Sequence, residues 1–180
     1  MRVIPILLVV LLSVSPSSAA ESPRQLIERG RYLAVVGGCN DCHTAGYGEA
    51  EGQVPESRWL RGSPIGFRGI WGTTYATNLR LSLSKMPEDQ WIRYAKALET
   101  RPPMPWFNLN QWSEDDLRAF YHYVRQLGPV GRPAPDPVPP HLEPKGAFVS
   151  WPLPPPSASV GAGRPSESES RKAEGGRKAP

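Results

Sequence analysis

The segment GGCNDCHT, residues 37 to 44, contains the only two cysteines of this 180-residue chain. Cys39 and Cys42 are separated by two residues, and His43 follows directly. Two thiols at this spacing can form a disulfide, ligate a metal ion, or bind a prosthetic group covalently. Each use would constrain the fold around this segment. The other residues of the sequence indicate which of the three applies.

The N-terminal stretch MRVIPILLVVLLSVSPSSAA is typical of a secretory signal. Arg2 supplies the positive end, residues 3–14 are almost entirely apolar, and the small residues Ser18 and Ala20 suit cleavage after residue 20. The apolar run is shorter than the ~20 residues that span a bilayer. We therefore expect a signal peptide at residues 1–20, export to the periplasm and no stable membrane insertion after cleavage. An uncleaved anchor is the alternative.

Export favours disulfides, but a bridge between Cys39 and Cys42 would close a very short loop and stabilise the fold little. Zinc needs about four ligands, and His43 follows Cys42 too closely for these three residues to supply tetrahedral ligation. A thioredoxin-like dithiol would follow a strand, and no strand is evident before it. In C-x-x-C-H, by contrast, both thiols can form thioethers to haem vinyl groups, which fixes the histidine as proximal iron ligand. We predict one covalent haem c.

A second axial ligand must then come from the remaining methionines and histidines. Met104 lies in RPPMPW, where flanking prolines stiffen the loop, as suits a weak, soft ligand. Met86 precedes Pro87 at a helix start, where packing is the more usual role. His122 lies on a helix between two tyrosines, as a surface histidine would. We predict Met104 as the ligand, with His122, Met86 or an open position as the alternatives.

Three helices are predicted from apolar periodicity and capping residues. The first begins after Ser22 and ends at Gly37, the second covers about residues 87–99, and the third runs from Ser113 to Gly128. No segment alternates like a strand. The loop of residues 44–84 is too long to be structureless in a compact domain unless a large group fills its concave side.

Composition divides the chain further. We expect a helical domain at residues 21–128, a proline-rich strap at residues 129–156 and a disordered polar tail at residues 157–180. The net charge of +4 includes no basic block with interleaved aromatics, so nucleic acid is not an expected partner.

The segments RGRYLAVVGGCNDCHT, GTTYATNL, PPMPWFNL and SEDDLRAFYHYVRQLGPVG resemble the class I cytochrome c family. The resemblance covers roughly residues 22–144 and is strongest to small bacterial monohaem members and to cytochrome subunits of periplasmic dehydrogenases. It implies an all-α fold with about three main helices around one haem and long Gly/Pro-rich loops. It also implies that Gly30 and Tyr32 of the first helix meet Phe120 and Val124 of the third.

The same resemblance implies roles for residues of the long loop. The carbonyl of Pro64, or alternatively of Pro55, would accept a hydrogen bond from His43. Trp71, Tyr75 and Asn78 would line the propionate side of the haem.

These expectations describe a periplasmic one-electron carrier, not an enzyme, with no catalytic residues. A periplasmic dehydrogenase would be the electron donor, and an oxidase or another cytochrome the acceptor. The alternatives are a dedicated cytochrome subunit of a dehydrogenase complex, a haem-based redox or gas sensor, and a disulfide-stapled binding module without haem.

Overall fold

A computed structural model describes residues 21–150 of the chain. The expected signal peptide, the end of the strap and the expected tail therefore lie outside the described residues. Within them the α-helices are α1 (Pro23–Val36), α2 (Cys39–His43), α3 (Leu79–Ser84), α4 (Glu88–Ala97), α5 (Trp106–Leu109) and α6 (Glu114–Leu127), with a 3₁₀ turn at Glu56–Arg58. None of these helices has the length and hydropathy that a bilayer span requires.

The three predicted helices are confirmed as α1, α4 and α6, and local side chains explain where they begin. Ser22 and Gln25 form a capping box at the start of α1, and Pro23 occupies its first turn. At the start of α6 the Ser113 hydroxyl accepts a hydrogen bond from the Asp116 N–H, at 3.0 Å. The capping residues therefore fix the first turn of both long helices.

The helices α1 and α6 cross at Gly30, which is buried. A Cβ atom at this position would lie 2.1 Å from the carbonyl oxygen of Ala119 and 2.6 Å from Cβ of Tyr123. The expected partners Phe120 and Val124 are buried in the same core, but the closest approach is to Ala119 and Tyr123. Tyr32 is 62% exposed, so its predicted place in this crossing is wrong.

The described domain is mostly helical, as predicted, but it is not all-α, because it contains a small sheet. The strands β1 (Gly66–Gly69) and β2 (Gly72–Tyr75) form an antiparallel hairpin, and β3 (Phe148–Ser150) pairs with β1 in parallel. The hairpin lies in the segment for which the sequence predicts only a long loop. It escapes prediction because its strands have four residues each, three of the eight are glycine, and no apolar alternation marks them.

The apolar core lies among the helices and along one side of the 44–84 segment. Its fully buried large side chains include Leu60, Leu83, Leu117, Phe120, Tyr123 and Val124. Arg80, also buried, donates hydrogen bonds to the carbonyls of Ser57, Leu127 and Gly128. This single guanidinium satisfies the carboxyl end of α6 and ties α3 to it.

Candidate functional site

The two cysteines lie on α2, which begins directly after a left-handed glycine. Gly38 has φ +67°, a conformation that glycine adopts without strain, and it turns the chain from α1 into α2. Cys39 and Cys42 are three residues apart on this short helix and therefore share a face. Both thiols are free, and both residues line a cleft between α2, the β1–β2 hairpin and the loop around residue 104.

Burial raises the pKa of the Cys39 thiol to about 12, and burial followed by the Asp41 charge raises that of Cys42. Catalytic dithiols have the opposite property, since their nucleophilic cysteine has a lowered pKa. The electrostatics of the site therefore disfavour a thioredoxin-like reaction and leave two neutral thiols facing the cleft.

His43 is buried at the end of α2 and lines the same cleft. Its Nδ1 lies 2.7 Å from the carbonyl oxygen of Thr77, an acceptor, so Nδ1 carries the proton and Nε2 keeps a free lone pair. Burial lowers the pKa of His43, which keeps the imidazole in the neutral form that binds metals.

The hydrogen-bond partner of His43 corrects the prediction of Pro64 or Pro55. Pro64 instead lines a separate surface hollow with Arg61 and Arg132, and Pro55 precedes the 3₁₀ turn. The sequence carried no signal for Thr77, because the acceptor is a backbone carbonyl and any residue type would supply one.

Met104 also lines the cleft, together with Pro103 and Pro105 on either side of it. The two alternative ligands do not line it. Met86 packs against the apolar core, and its carbonyl accepts a hydrogen bond from the Tyr121 hydroxyl. His122 lies 2.8 Å from the carboxylate of Glu88 on the outer side of α6. Among residues 21–150, His43 and Met104 are the only histidine and methionine in the cleft wall.

The rest of the cleft wall is mainly apolar and aromatic. Besides the residues above, its larger side chains are Phe67, Tyr75, Leu79, Trp91, Tyr94, Leu98, Leu109, Trp112 and Phe120. Cofactor sites commonly combine such a lining with a few convergent polar groups. Of these residues, Trp91 and Tyr94 come from α4 and Phe120 from α6, where helical periodicity alone does not distinguish a cleft from a core.

The hairpin contains two buried polar atoms without partners, and one of them lies in the cleft wall. Thr74 lines the cleft with a buried hydroxyl, and Trp71 has a buried indole N–H; neither atom has a hydrogen-bond partner among the described residues. Such groups are costly unless a ligand or water satisfies them. Tyr75 lines the cleft, whereas Trp71 does not form part of its wall. A place beside the haem propionates stays a prediction for Tyr75.

Asn78 has a different role from the one predicted. Its side-chain oxygen accepts a hydrogen bond from the Leu81 N–H and caps α3, while its amide nitrogen donates to the carbonyls of Val130 and Arg132. With these contacts Asn78 joins α3 to the strap, and it does not line the cleft. An asparagine directly before a short helix is a recognisable N-cap, so this role can be predicted from the sequence.

Between residues 21 and 150, no group of three or more His, Cys, Asp or Glu side chains is placed to hold a metal ion by itself. The cleft thus offers a cofactor two thiols, one neutral imidazole, one thioether and the unpaired hydroxyl of Thr74. This donor set is suited to a prosthetic group that brings its own ring of metal ligands.

Comparison with known proteins finds distant relatives of one kind. The chain is 30% identical over 156 residues to the cytochrome c subunit of a quinone alcohol dehydrogenase from Gluconobacter oxydans, covering 78% of the chain and 28% of that subunit. It is 28% identical over 127 residues to the fructose dehydrogenase cytochrome subunit of Gluconobacter japonicus, covering 64% and 24%. A nicotinate dehydrogenase subunit from Pseudomonas putida is 25% identical over 136 residues, covering 68% and 10%.

No protein-family model matches the chain, and no solved structure matches it. The chain spans only 24% and 28% of the length of the first two relatives, so the comparison concerns one part of each. Taken with the C-x-x-C-H segment, the comparisons show distant homology, at 28–30% identity, to cytochrome c subunits of dehydrogenases, proteins of the cytochrome c family.

Proposed function

We propose that the protein is a one-electron carrier with a single covalently attached haem c. The observation that carries this proposal is the meeting of Cys39, Cys42, His43 and Met104 in the wall of one apolar cleft. Met104 is far from the other three in sequence, and each of the four has a distinct use toward a haem.

The described residues fit the group in three respects. Both thiols are free, as thioether formation with two vinyl groups requires. The Nε2 lone pair of His43 is available because Nδ1–H is held by Thr77, and Met104 offers a thioether for the other axial position. The Thr74 hydroxyl, which lines the cleft, is a buried donor without a partner, and this suits a carboxylate of a haem.

Bound haem c would supply the chemistry, the reversible gain and loss of one electron at iron. The chain controls the potential of that step. The thioether of Met104 favours the ferrous state, and the apolar cleft wall disfavours the additional charge of the ferric state. If His43 and Met104 both hold the iron, the residues around it would rearrange little between the two oxidation states.

We propose a dehydrogenase as the electron donor, and an oxidase or another cytochrome as the acceptor. The support for the donor is that the relatives are cytochrome subunits of alcohol and fructose dehydrogenases and a subunit of nicotinate dehydrogenase. Because of these relatives, a role as the cytochrome subunit of such a complex is the second candidate. The signal-like residues 1–20 favour a periplasmic location for either role.

Replacing Cys39 and Cys42 by serine together tests covalent attachment. We expect the double variant to contain no covalent haem, because the chain has no other thiol. The measurement is haem staining of a denaturing gel after export, with the wild-type protein from the same cells as the positive control. A stained band at the position of the double variant would contradict the proposal.

A further inference from the structure

The strap, residues 129–150 of the described chain, encloses both edges of the β1–β2 hairpin. At the outer edge of β2, Thr73 and Val138 exchange two backbone hydrogen bonds, of 2.7 and 3.0 Å. At the outer edge of β1, strand β3 pairs in parallel, and the Gly66 N–H donates to the Ala147 carbonyl at 2.9 Å. The strap therefore passes from one edge of the hairpin to the other.

Between these two edges the strap crosses one face of the hairpin, where Arg68 holds it. The Arg68 guanidinium donates to the Leu142 carbonyl at 2.8 Å, to the Pro140 carbonyl at 3.4 Å and to the Glu143 carboxylate at 2.9 Å. It also lies over the Phe148 ring, 5.9 Å from the centroid. The strap thus covers both edges and one face of the hairpin. It does not cover the opposite face.

That opposite face belongs to the cleft. Phe67 and Thr74 are paired directly across β1 and β2, and both line the cleft. In β3, Val149 is paired with Phe67 on the other side of β1. Residues in register on neighbouring strands lie on the same face of a sheet, so Val149 continues the row of Thr74 and Phe67. Phe148, one residue earlier, lies on the Arg68 face.

Solvent exposure changes along this row of Thr74, Phe67 and Val149. The Thr74 hydroxyl is buried without a partner among the described residues, whereas the apolar side chain of Val149 at the other end of the row is 45% exposed. Val149 is thus an exposed apolar side chain in a row whose other two members, Thr74 and Phe67, line the cleft.

We propose that the strap is part of the haem site, with Val149 extending the apolar wall of the cleft and shielding an edge of the haem from water. This inference rests on the proposed function. Excluding water from a haem edge disfavours the more highly charged ferric state, so Val149 would raise the midpoint potential. By pairing with both edges of the hairpin and packing on its Arg68 face, the strap would also hold Phe67 and Thr74 in position.

The test compares Val149→Asp with Phe148→Asp in the full chain. The two positions are adjacent, on one strand and similarly exposed, at 45% and 41%, and they differ in the face of the sheet that they occupy. A carboxylate at position 149 would bring water and negative charge to the cleft face, and both stabilise ferric haem. A carboxylate at position 148 would lie beside Arg68 on the far face. We expect Val149→Asp to lower the midpoint potential clearly more than Phe148→Asp.

Equal shifts, or no shift in either variant, would overturn the inference. Covalent haem in the wild-type protein is measured first by gel staining, so that loss of the inference alone is distinguished from loss of the proposed function. If neither Asp variant yields haem protein, the same comparison is made with Val149→Ser and Phe148→Ser. A greater fall in midpoint potential for Val149→Ser than for Phe148→Ser supports the inference, and equal midpoint potentials refute it.

Discussion

The properties of the site depend on a few atoms whose states are set by their neighbours. The Thr77 carbonyl fixes the tautomer of His43, and burial keeps the imidazole neutral. Met104 is placed in the same cleft by a loop with prolines on both sides, which limits the movement of its backbone. If they hold a haem iron as proposed, a neutral imidazole and a thioether would give it a high reduction potential.

Met104 is the residue whose replacement tests the proposed axial ligand. Met104→Ala should open the sixth position, so that the ferric protein gains high-spin character and the reduced protein binds carbon monoxide. Met104→His should keep the iron low-spin but lower the midpoint potential by something on the order of 100 mV, since imidazole stabilises the ferric state relative to a thioether. Absorption spectroscopy and a redox titration measure these changes.

Met86→Ala is the matched control for Met104→Ala. It removes a thioether that packs against the apolar core and does not line the cleft, so it should leave the spectrum unchanged. The near-infrared sulfur-to-iron band expected of the ferric wild type should vanish in Met104→Ala only. If the band instead survives there and vanishes in Met86→Ala, the ligand assignment is wrong. Ready carbon monoxide binding by the wild type would favour a sensor.

At this scale the sequence predicted side-chain chemistry better than backbone chemistry. The C-x-x-C-H spacing and the PPMPW loop identified four residues that the structure brings to one cleft. The acceptor for His43 was predicted wrongly, because Thr77 acts through its carbonyl and leaves no signature in residue type. Asn78 was misassigned because a polar residue near a cofactor site can equally cap a helix.

At the scale of elements, the crossing of α1 over α6 holds the domain together. Gly30 permits this approach, and an ion pair between Arg29 and Asp116, at 2.7 Å, lies beside it. Because Gly37 and Gly38 connect α1 directly to α2, a displacement of α1 would be passed on to the cysteines.

Gly30→Ala should therefore destabilise the fold. The added Cβ would lie 2.1 Å from a backbone oxygen of Ala119, an atom that cannot move away without shifting α6. Overpacking costs roughly 1–3 kcal/mol, and a 2.1 Å approach to backbone belongs at the upper end of that range, above the gain of about 1 kcal/mol from replacing glycine in a helix. Urea unfolding followed by circular dichroism would show a lower midpoint.

Gly48→Ala provides the control, since no heavy atom lies within 4 Å of a Cβ at that position. Its unfolding midpoint should stay close to that of the wild type, within about 0.5 kcal/mol of stability. A Gly30→Ala protein as stable as Gly48→Ala would mean that the two helices separate more easily than their contact indicates.

The helices and strands differ in how clearly the sequence predicts them. The helices α1, α4 and α6 were predicted because each has an apolar stripe and a recognisable start. The hairpin is not predicted because its strands are short and glycine-rich, and the strap that pairs with both of its edges lies roughly 65 to 80 residues further along the chain. Long-range pairing of short, glycine-rich strands leaves no local pattern to read.

At the scale of the whole molecule, the strap and the expected tail should have different roles although they are contiguous. The strap residues described by the structure pair with the hairpin and bond to Arg68 and Asn78. Residues 157–180 contain no cysteine, histidine, methionine or aromatic residue, and their five basic and three acidic side chains give a net charge of 5 − 3 = +2. Such a segment offers neither a ligand nor apolar cover for a cofactor.

Deleting residues 157–180 should therefore leave the visible spectrum and the midpoint potential unchanged. A net charge of this size has little effect on a haem if it lies more than a Debye length away, about 10 Å at moderate salt. Ending the chain after Lys145 is the comparison, because it also removes β3 with Val149 and should lower the potential. A redox titration of the two shortened proteins beside the full chain measures both effects. A shift above roughly 30 mV in the shorter deletion, equivalent to about 0.7 kcal/mol for one electron, would mean that the tail covers the haem. The functional unit would then extend beyond the strap.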